Sequence, residues 1–151
     1  MGKQDNKTGN DQYESLKLCN QLCFPLYAAS RKITSIYTPY FKPLGLTYTK
    51  YIVFLVLWEE DGITVGDICS RLYLDNGTVT PLIKKMEAEG YVTRKRSKED
   101  ERVVTVHLTE KGRAFRDKCA DIPARAGACL RLSQEEAATM YQLLYKMLEE
   151  M

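Results

Sequence analysis

The stretch that most constrains this chain runs from Tyr73 to Leu108, YLDNGTVTPLIKKMEAEGYVTRKRSKEDERVVTVHL. From Val79 its apolar residues fall at Leu82, Ile83 and Met86, the one-face spacing of a 3.6-residue period, so the first half predicts an amphipathic helix. Pro81 suits such a helix only in the first turn, where backbone N–H groups have no intrahelical acceptor. Asp75, Asn76 and Thr78 are all residue types that cap a helix start. Gly90 is the type that ends one. The second half, Tyr91 to Leu108, is two β-branched runs around a charged loop, Ser97–Glu101, which predicts a hairpin.

The rest of the chain reads as helices around that unit. Residues 1–12 are rich in Lys, Asp, Asn, Gly and Gln and read as a disordered tail. Residues 13–151 read as a single domain of ordinary size. A helical pattern runs from Glu14 to Phe41, with Leu16, Cys19, Leu22, Cys23, Leu26, Ile33 and Tyr37, and Pro25 either kinks it or starts a new helix. Thr47 is positioned to cap a segment, Tyr48 to Glu60, that is apolar nearly all round and so predicts a buried core helix. Thr64 and Asp67 have capping-box spacing ahead of a short helix with Val65, Ile68, Cys69 and Leu72 inward. A further helix starts at Thr109 and runs towards Cys119, loosened by Pro123 and Gly127. Ser133 opens a last one with a wide apolar stripe, from Ala137, Met140 and Tyr141 to Met151.

Two short helices with a tight connection, then a basic-tipped hairpin, predict a winged helix-turn-helix. The fold class is thus mainly α with a small β-hairpin wing. Residues 47–109 form the lobe, and helices over 13–46 and 110–151 lie outside it.

Composition excludes several alternatives. No run of eighteen apolar residues suggests a membrane span, and the polar N-terminus lacks the apolar core of a secretory signal, so a cytoplasmic protein is expected. The five cysteines, Cys19, Cys23, Cys69, Cys119 and Cys129, are then expected as thiols. With no C-x-x-C and one histidine, His107, on an apparent strand, neither a zinc site nor any other cofactor is expected. Net charge is only +2, so a nucleic-acid footprint has to come from clustering. Between Lys84 and Lys118 there are eleven Lys and Arg against seven Asp and Glu, which places the basic excess around the hairpin.

On double-stranded DNA the parts have assignable tasks. Asn76, Thr78 and Thr80 lie at the helix end that enters a major groove, where Asn can make paired bonds to adenine and Thr can touch a thymine methyl. Pro81, Lys84 and Lys85 face outward, with the lysines suited to phosphates. Arg94, Arg96 and Lys98 flank the hairpin tip and Arg102 lies beyond it, where an arginine can enter a minor groove. Two-fold symmetry of a homodimer would match a pseudo-palindromic operator, and the terminal apolar stripe is suited to a dimer seam.

From Leu74 to Val104 the residues LDNGTVTPLIKKMEAEGYVTRKRSKEDERVV, with the closing HLTEKG, resemble the MarR family of winged helix-turn-helix repressors. Upstream, NQLCFPLYAASRKITSIYTPYFKPLGLTYTKYIVFLVLWE resembles that family's organic-hydroperoxide-sensing branch, OhrR. The resemblance implies an intertwined homodimer, not an enzyme, whose repression is relieved by oxidation of one cysteine. By position the sensing thiol is Cys23, supported by Tyr37, Tyr48 and also Tyr27. A resolving thiol would be Cys129, with Cys119 the weaker candidate. Asn76, Thr78, Pro81 and Lys85 fall at recognition-helix positions, and Asp100 and Arg102 at the wing, with the Asp orienting the Arg. The family usually has Ser where Asn76 stands and a helix-former where Pro25 stands.

Oxidation of a thiolate by a peroxide gives a sulfenic acid, which can condense with a second thiol. Two other readings compete with an oxidant-responsive repressor. One is a regulator of the same family relieved by a small apolar or phenolic ligand bound between its lobes. The other, a thiol peroxidase, lacks both a C-x-x-C and a base histidine near a cysteine.

Overall fold

The computed structural model describes residues 13–98, 100 and 102–151, so the expected tail over 1–12 lies outside the described residues. The chain divides into two compact units, residues 1–36 and 37–151.

In the first unit, two single 3-10 turns, Glu14–Leu16 and Leu18–Asn20, precede helix α1 (Cys23–Ile36). Of the two outcomes left open at Pro25, a kink or a new helix, the new helix is the one formed, and the stretch before it is not α-helical. Pro25 accounts for where α1 starts: as its third residue it lacks an N–H that would have had no intrahelical partner there. Asn20 ties the preceding turns together by donating through Nδ2 to the Glu14 carbonyl at 2.8 Å. Cys19 lies in the second turn and Cys23 opens the helix, so the two do not share a helix face.

The second unit runs α2 (Thr38–Phe41), α3 (Tyr48–Glu59), β1 (Ile63–Thr64), α4 (Val65–Leu72), α5 (Asn76–Ala88), β2 (Val92–Arg96), β3 (Val104–Leu108), α6 (Glu110–Cys119), α7 (Ile122–Gly127) and α8 (Gln134–Glu149). Thr47 caps α3, accepting from the Lys50 N–H at 3.2 Å. The Thr64–Asp67 and Ser133–Glu136 capping boxes both form. The three-stranded antiparallel sheet has the order β1-β3-β2, with Ile63 opposite Val106 and Arg94 opposite Val106 on the other side. Its first strand is two residues long, too short to leave a periodicity, and the sequence reading missed it.

The core sits where α3, α4, α5, α6 and the sheet meet. Phe54 is fully buried at its centre, with ring centroids 5.1 Å from Trp58, 5.3 Å from Tyr91 and 5.2 Å from Phe115. Val53, Ile68, Val79, Ile83, Met86 and Val106 surround it, all fully buried. By contrast, α8 has no buried residue, and its apolar stripe of Met140, Tyr141, Leu144, Met147 and Leu148 is exposed.

Candidate functional site

The turn between α4 and α5 is made by Tyr73, which caps α4 in the left-handed region at φ 52°. The Leu74 N–H then returns to the Cys69 carbonyl at 3.0 Å. Asp75 caps α5: its carboxylate accepts from the Thr78 N–H at 2.8 Å and the Thr78 hydroxyl at 3.0 Å. These bonds hold the Asp75 carboxyl below the usual carboxylate range. Of the three capping candidates, then, Asp75 performs the task, and it occupies the Thr78 hydroxyl in doing so.

Helix α5 buries Val79, Ile83 and Met86, half-buries Leu82, and exposes Pro81, Lys84, Lys85 and Ala88, as its periodicity predicts. Pro81 departs from expectation. Because α5 begins at Asn76, Pro81 is its sixth residue and lies beyond the first turn. Its ring removes the bond that the Gly77 carbonyl would receive, and that carbonyl is in the helix's first, exposed turn. Gly90, at φ 79°, ends the helix with the Tyr91 N–H on the Met86 carbonyl at 2.9 Å.

The wing is seven residues between Arg96 and Val104, two longer than the expected Ser97–Glu101 loop, because the ladder closes at that pair. The Ser97 N–H bonds the Val103 carbonyl at 2.9 Å across its base. Asp100 accepts from the backbone N–H of Arg102 at 2.9 Å, so it shapes the turn that carries Arg102. Arg96, Lys98 and Arg102 are exposed. Arg94 sits in mid-strand rather than beside the tip. It binds Glu87 of α5 twice, through its backbone N–H at 2.9 Å and its Nε at 2.7 Å. Sequence reading missed this link between wing and helix. A cleft of about 450 Å³ lies on this face, with Asn76, Thr80, Arg94 and Arg102 in its lining.

The Arg94 side chain, then its backbone N–H, holds the Glu87 carboxyl below its ordinary value of 4.5. A lowered folded-state pKa means that the contact stabilises the fold above the unfolded value and is lost as pH falls through the folded one. In an NMR titration the Arg94 amide should therefore move with a midpoint below 4.5. A midpoint at or above that value would remove Glu87 as the wing's anchor.

The aromatic residues named for the sensor fall into different settings. Tyr27, on α1, is exposed and accepts from Arg31 at 3.1 Å. Tyr37 and Tyr48 pack edge-on with centroids 5.2 Å apart, in a cluster with Phe41 and Tyr51. Burial, then the neighbouring Tyr37, pushes the Tyr48 phenol up; the same causes, with Cys119 and Tyr48, push Tyr51 up to about 12. Both therefore remain hydroxyl donors at neutral pH.

The thiols separate as clearly. Cys23 and Cys129 are exposed, whereas Cys119 is buried and its thiol is pushed up to about 11 by burial and then Asp121. Cys129 follows α7 with its Sγ 3.7 Å from the Arg125 carbonyl. Among the described residues no cluster of three or more His, Cys, Asp or Glu is placed to hold a metal ion, and no helix is long and apolar enough to cross a membrane.

Residues 35–119 match the family model described as transcriptional regulator SarA/Rot. Over 142 residues the chain is 46% identical to the organic hydroperoxide resistance transcriptional regulator of Bacillus subtilis, covering 92% of this chain and 95% of that one. The chain belongs to the SarA/Rot and MarR family of transcriptional regulators. Solved structures match it over most of its length. Reduced AbfR bound to DNA is 33% identical with a TM-score of 0.74, covering 94% of this chain and 99% of that one. Disulfide-formed AbfR is 32% identical with a TM-score of 0.64, covering 92% and 95%. In this MarR-family chain, as its sequence predicts, α4 and α5 are the helix-turn-helix and the β2–β3 hairpin is the wing.

Proposed function

We propose that this MarR-family regulator is a cytoplasmic homodimeric repressor that reads pseudo-palindromic operator DNA and releases it when an organic hydroperoxide oxidises Cys23. The observation that carries this reading is an exposed Cys23 at the start of α1, in a chain 46% identical to a hydroperoxide resistance regulator. AbfR, described both reduced on DNA and with a disulfide formed, supports it.

In the resting state, phenol donors from Tyr48 and Tyr37 would stabilise the thiolate, with Tyr27 on the sensor's own helix. The thiolate sulfur attacks the peroxide oxygen, the O–O bond breaks and an alcohol leaves, giving a sulfenic acid. Condensation with the Cys129 thiol would form a disulfide and release water. Cys119 is unsuited to that step because it is buried and held protonated. The dimer seam would be the exposed stripe of α8 with the helices over 13–46 and 110–151, so a change at Cys23 would alter the spacing of two recognition helices.

On DNA, Asn76, Thr78, Thr80 and Pro81 stand at the groove end of α5, Lys84 and Lys85 face phosphates, and Arg96, Lys98 and Arg102 form the wing contact. Arg94 acts through Glu87 by fixing the wing to α5. Replacing Arg102 with Ala should weaken operator binding about tenfold and reduce the salt slope by about one. Unchanged affinity at physiological salt would exclude the wing contact.

The deciding experiment is a gel shift on the chain's own upstream DNA, using reduced, peroxide-treated and Cys23→Ser protein. Peroxide should release the wild type and leave Cys23→Ser bound, with mass spectrometry locating the oxidised thiol. Release of Cys23→Ser by peroxide would sink the redox reading. Release of both proteins by a phenolic compound alone would instead support the regulator relieved by a small apolar or phenolic ligand. Steady consumption of peroxide with a thiol reductant, far beyond one per thiol, would make the chain an enzyme.

A further inference from the structure

Asn76 opens the recognition helix with its side chain exposed, yet its amide oxygen is not free. The Cys69 thiol, on α4, lies 3.3 Å from Asn76 Oδ1. Cys69 is 8% exposed and packed in the core of the lobe. The thiol is protonated at neutral pH, because burial and then the charge of Asp75 push it up. It therefore approaches the amide as an S–H donor, a weak one. The Asp75 carboxylate, an acceptor that could bind only the Nδ2 hydrogens, already accepts from both the N–H and the hydroxyl of Thr78.

We infer that Cys69 is a specificity-determining positioning residue, which holds Asn76 by its oxygen and presents the Nδ2 hydrogens to the base edge. The inference rests on the DNA-reading role proposed above for α5. Two consequences follow from donor and acceptor chemistry. With Oδ1 turned back to the thiol, the paired adenine contact expected from sequence, which needs oxygen and nitrogen together, is lost. What remains outward is a donor pair, which matches the O6 and N7 acceptors of guanine. Asn76 also lines the DNA-side cleft with Thr80 and Arg102, so the orientation of its amide bears directly on the surface presented to a base.

The test has two arms, and both use the full chain. In the free protein, the Asn76 side-chain NH₂ resonances, assigned by their loss in Asn76→Ala, should stand away from exposed-amide positions. They should stay so in Cys69→Ser, which keeps the donor, and collapse towards exposed-amide positions in Cys69→Val, which fills the site without one. Unchanged Asn76 signals in Cys69→Val would overturn the contact. In the second arm, operator libraries varied at every position are bound by each protein. Wild type and Cys69→Ser should prefer guanine about tenfold at the base pair whose discrimination Asn76→Ala abolishes. Cys69→Val should narrow that preference to about twofold, with other positions and the salt slope unchanged. A preference for adenine there, or a Cys69→Val profile identical to wild type, overturns the proposal. If the wild type binds no operator at all, the DNA-reading role and this specificity role fail together, while the first arm still decides whether the thiol holds the amide. Thermal unfolding of each variant separates a loosened lobe, which lowers affinity at every position, from the single-position change expected.

Discussion

Gly112→Ala should lower the stability of the chain by about 3 kcal/mol, the upper end of the cost of overpacking a filled site. At this chain length that corresponds to a fall of roughly 6–12 °C in Tm. A Cβ at Gly112 would stand 2.1 Å from the Tyr91 carbonyl oxygen and 3.0 Å from Leu108 Cδ2. The nearer atom is backbone, so no rotamer change relieves the contact. Nor can the Tyr91 carbonyl simply swing away, because it accepts from the Thr109 N–H at 3.0 Å and from the Thr109 hydroxyl at 3.1 Å. Gly112 itself is tied on the far side, its carbonyl accepting from Trp58 Nε1 at 3.0 Å. Relief would move the start of α6 away from β2 and loosen the base of the wing. Gly127→Ala is the control: it also lies in a helix, with nothing within 4 Å of the added carbon, and should change stability by less than about 0.5 kcal/mol. Thermal or urea unfolding of the two variants checks the pair. Equal, small effects would mean that the α6–β2 approach is not tight.

The elements with local signals were legible. Apolar spacing gave α5 its buried face, and side chains with a free oxygen three residues ahead of an N–H gave the starts of α3, α4 and α8. What escaped depended on partners distant in the chain. Pro81 looked like a first-turn proline because the apolar period starts at Val79, but Asp75 caps the helix one turn earlier. The two-residue strand β1 exists only because β3 has an edge to pair with. At the site, the basic wing and the recognition positions were visible as residue types. Their present engagements were not: Arg94 with Glu87 and Asn76 with Cys69 each join residues seven apart across a turn. Gly112 carried no local signal, since its constraint comes from a carbonyl twenty-one residues earlier in the chain.

Lys50 is the exception, because its signal was present and overlooked. It is the one charged residue between Tyr48 and Trp58, in a helix otherwise apolar nearly all round. A charge inside such a helix demands a partner, and the structure supplies it 39 residues away in Glu89, the C-cap of the recognition helix. The Lys50 side chain is 4% exposed and that of Glu89 is 32% exposed. The ammonium also faces the Gly45 carbonyl at 3.4 Å and the Tyr91 ring at 5.4 Å. The two ends of this pair should therefore respond unequally. Glu89→Gln strands a buried ammonium and should cost about 2–4 kcal/mol, somewhat below a fully enclosed pair because water reaches the carboxylate side. Lys50→Met instead leaves a carboxylate that solvent can hydrate, and an apolar chain of similar length in an apolar helix. It should cost no more than about 1.5 kcal/mol. Adding Glu89→Gln to Lys50→Met should then cost little more, so the double-mutant cycle closes with a coupling of about 1–3 kcal/mol. The pair also connects α3, whose Tyr48 and Tyr51 flank Lys50, to the end of α5, where Lys111 holds the Glu89 carbonyl at 2.7 Å. Glu89→Gln should accordingly weaken operator binding by more than Lys50→Met does. Equal losses of stability from the two single substitutions would show that Lys50 is hydrated in solution, and the connection between α3 and α5 would then rest on apolar packing alone.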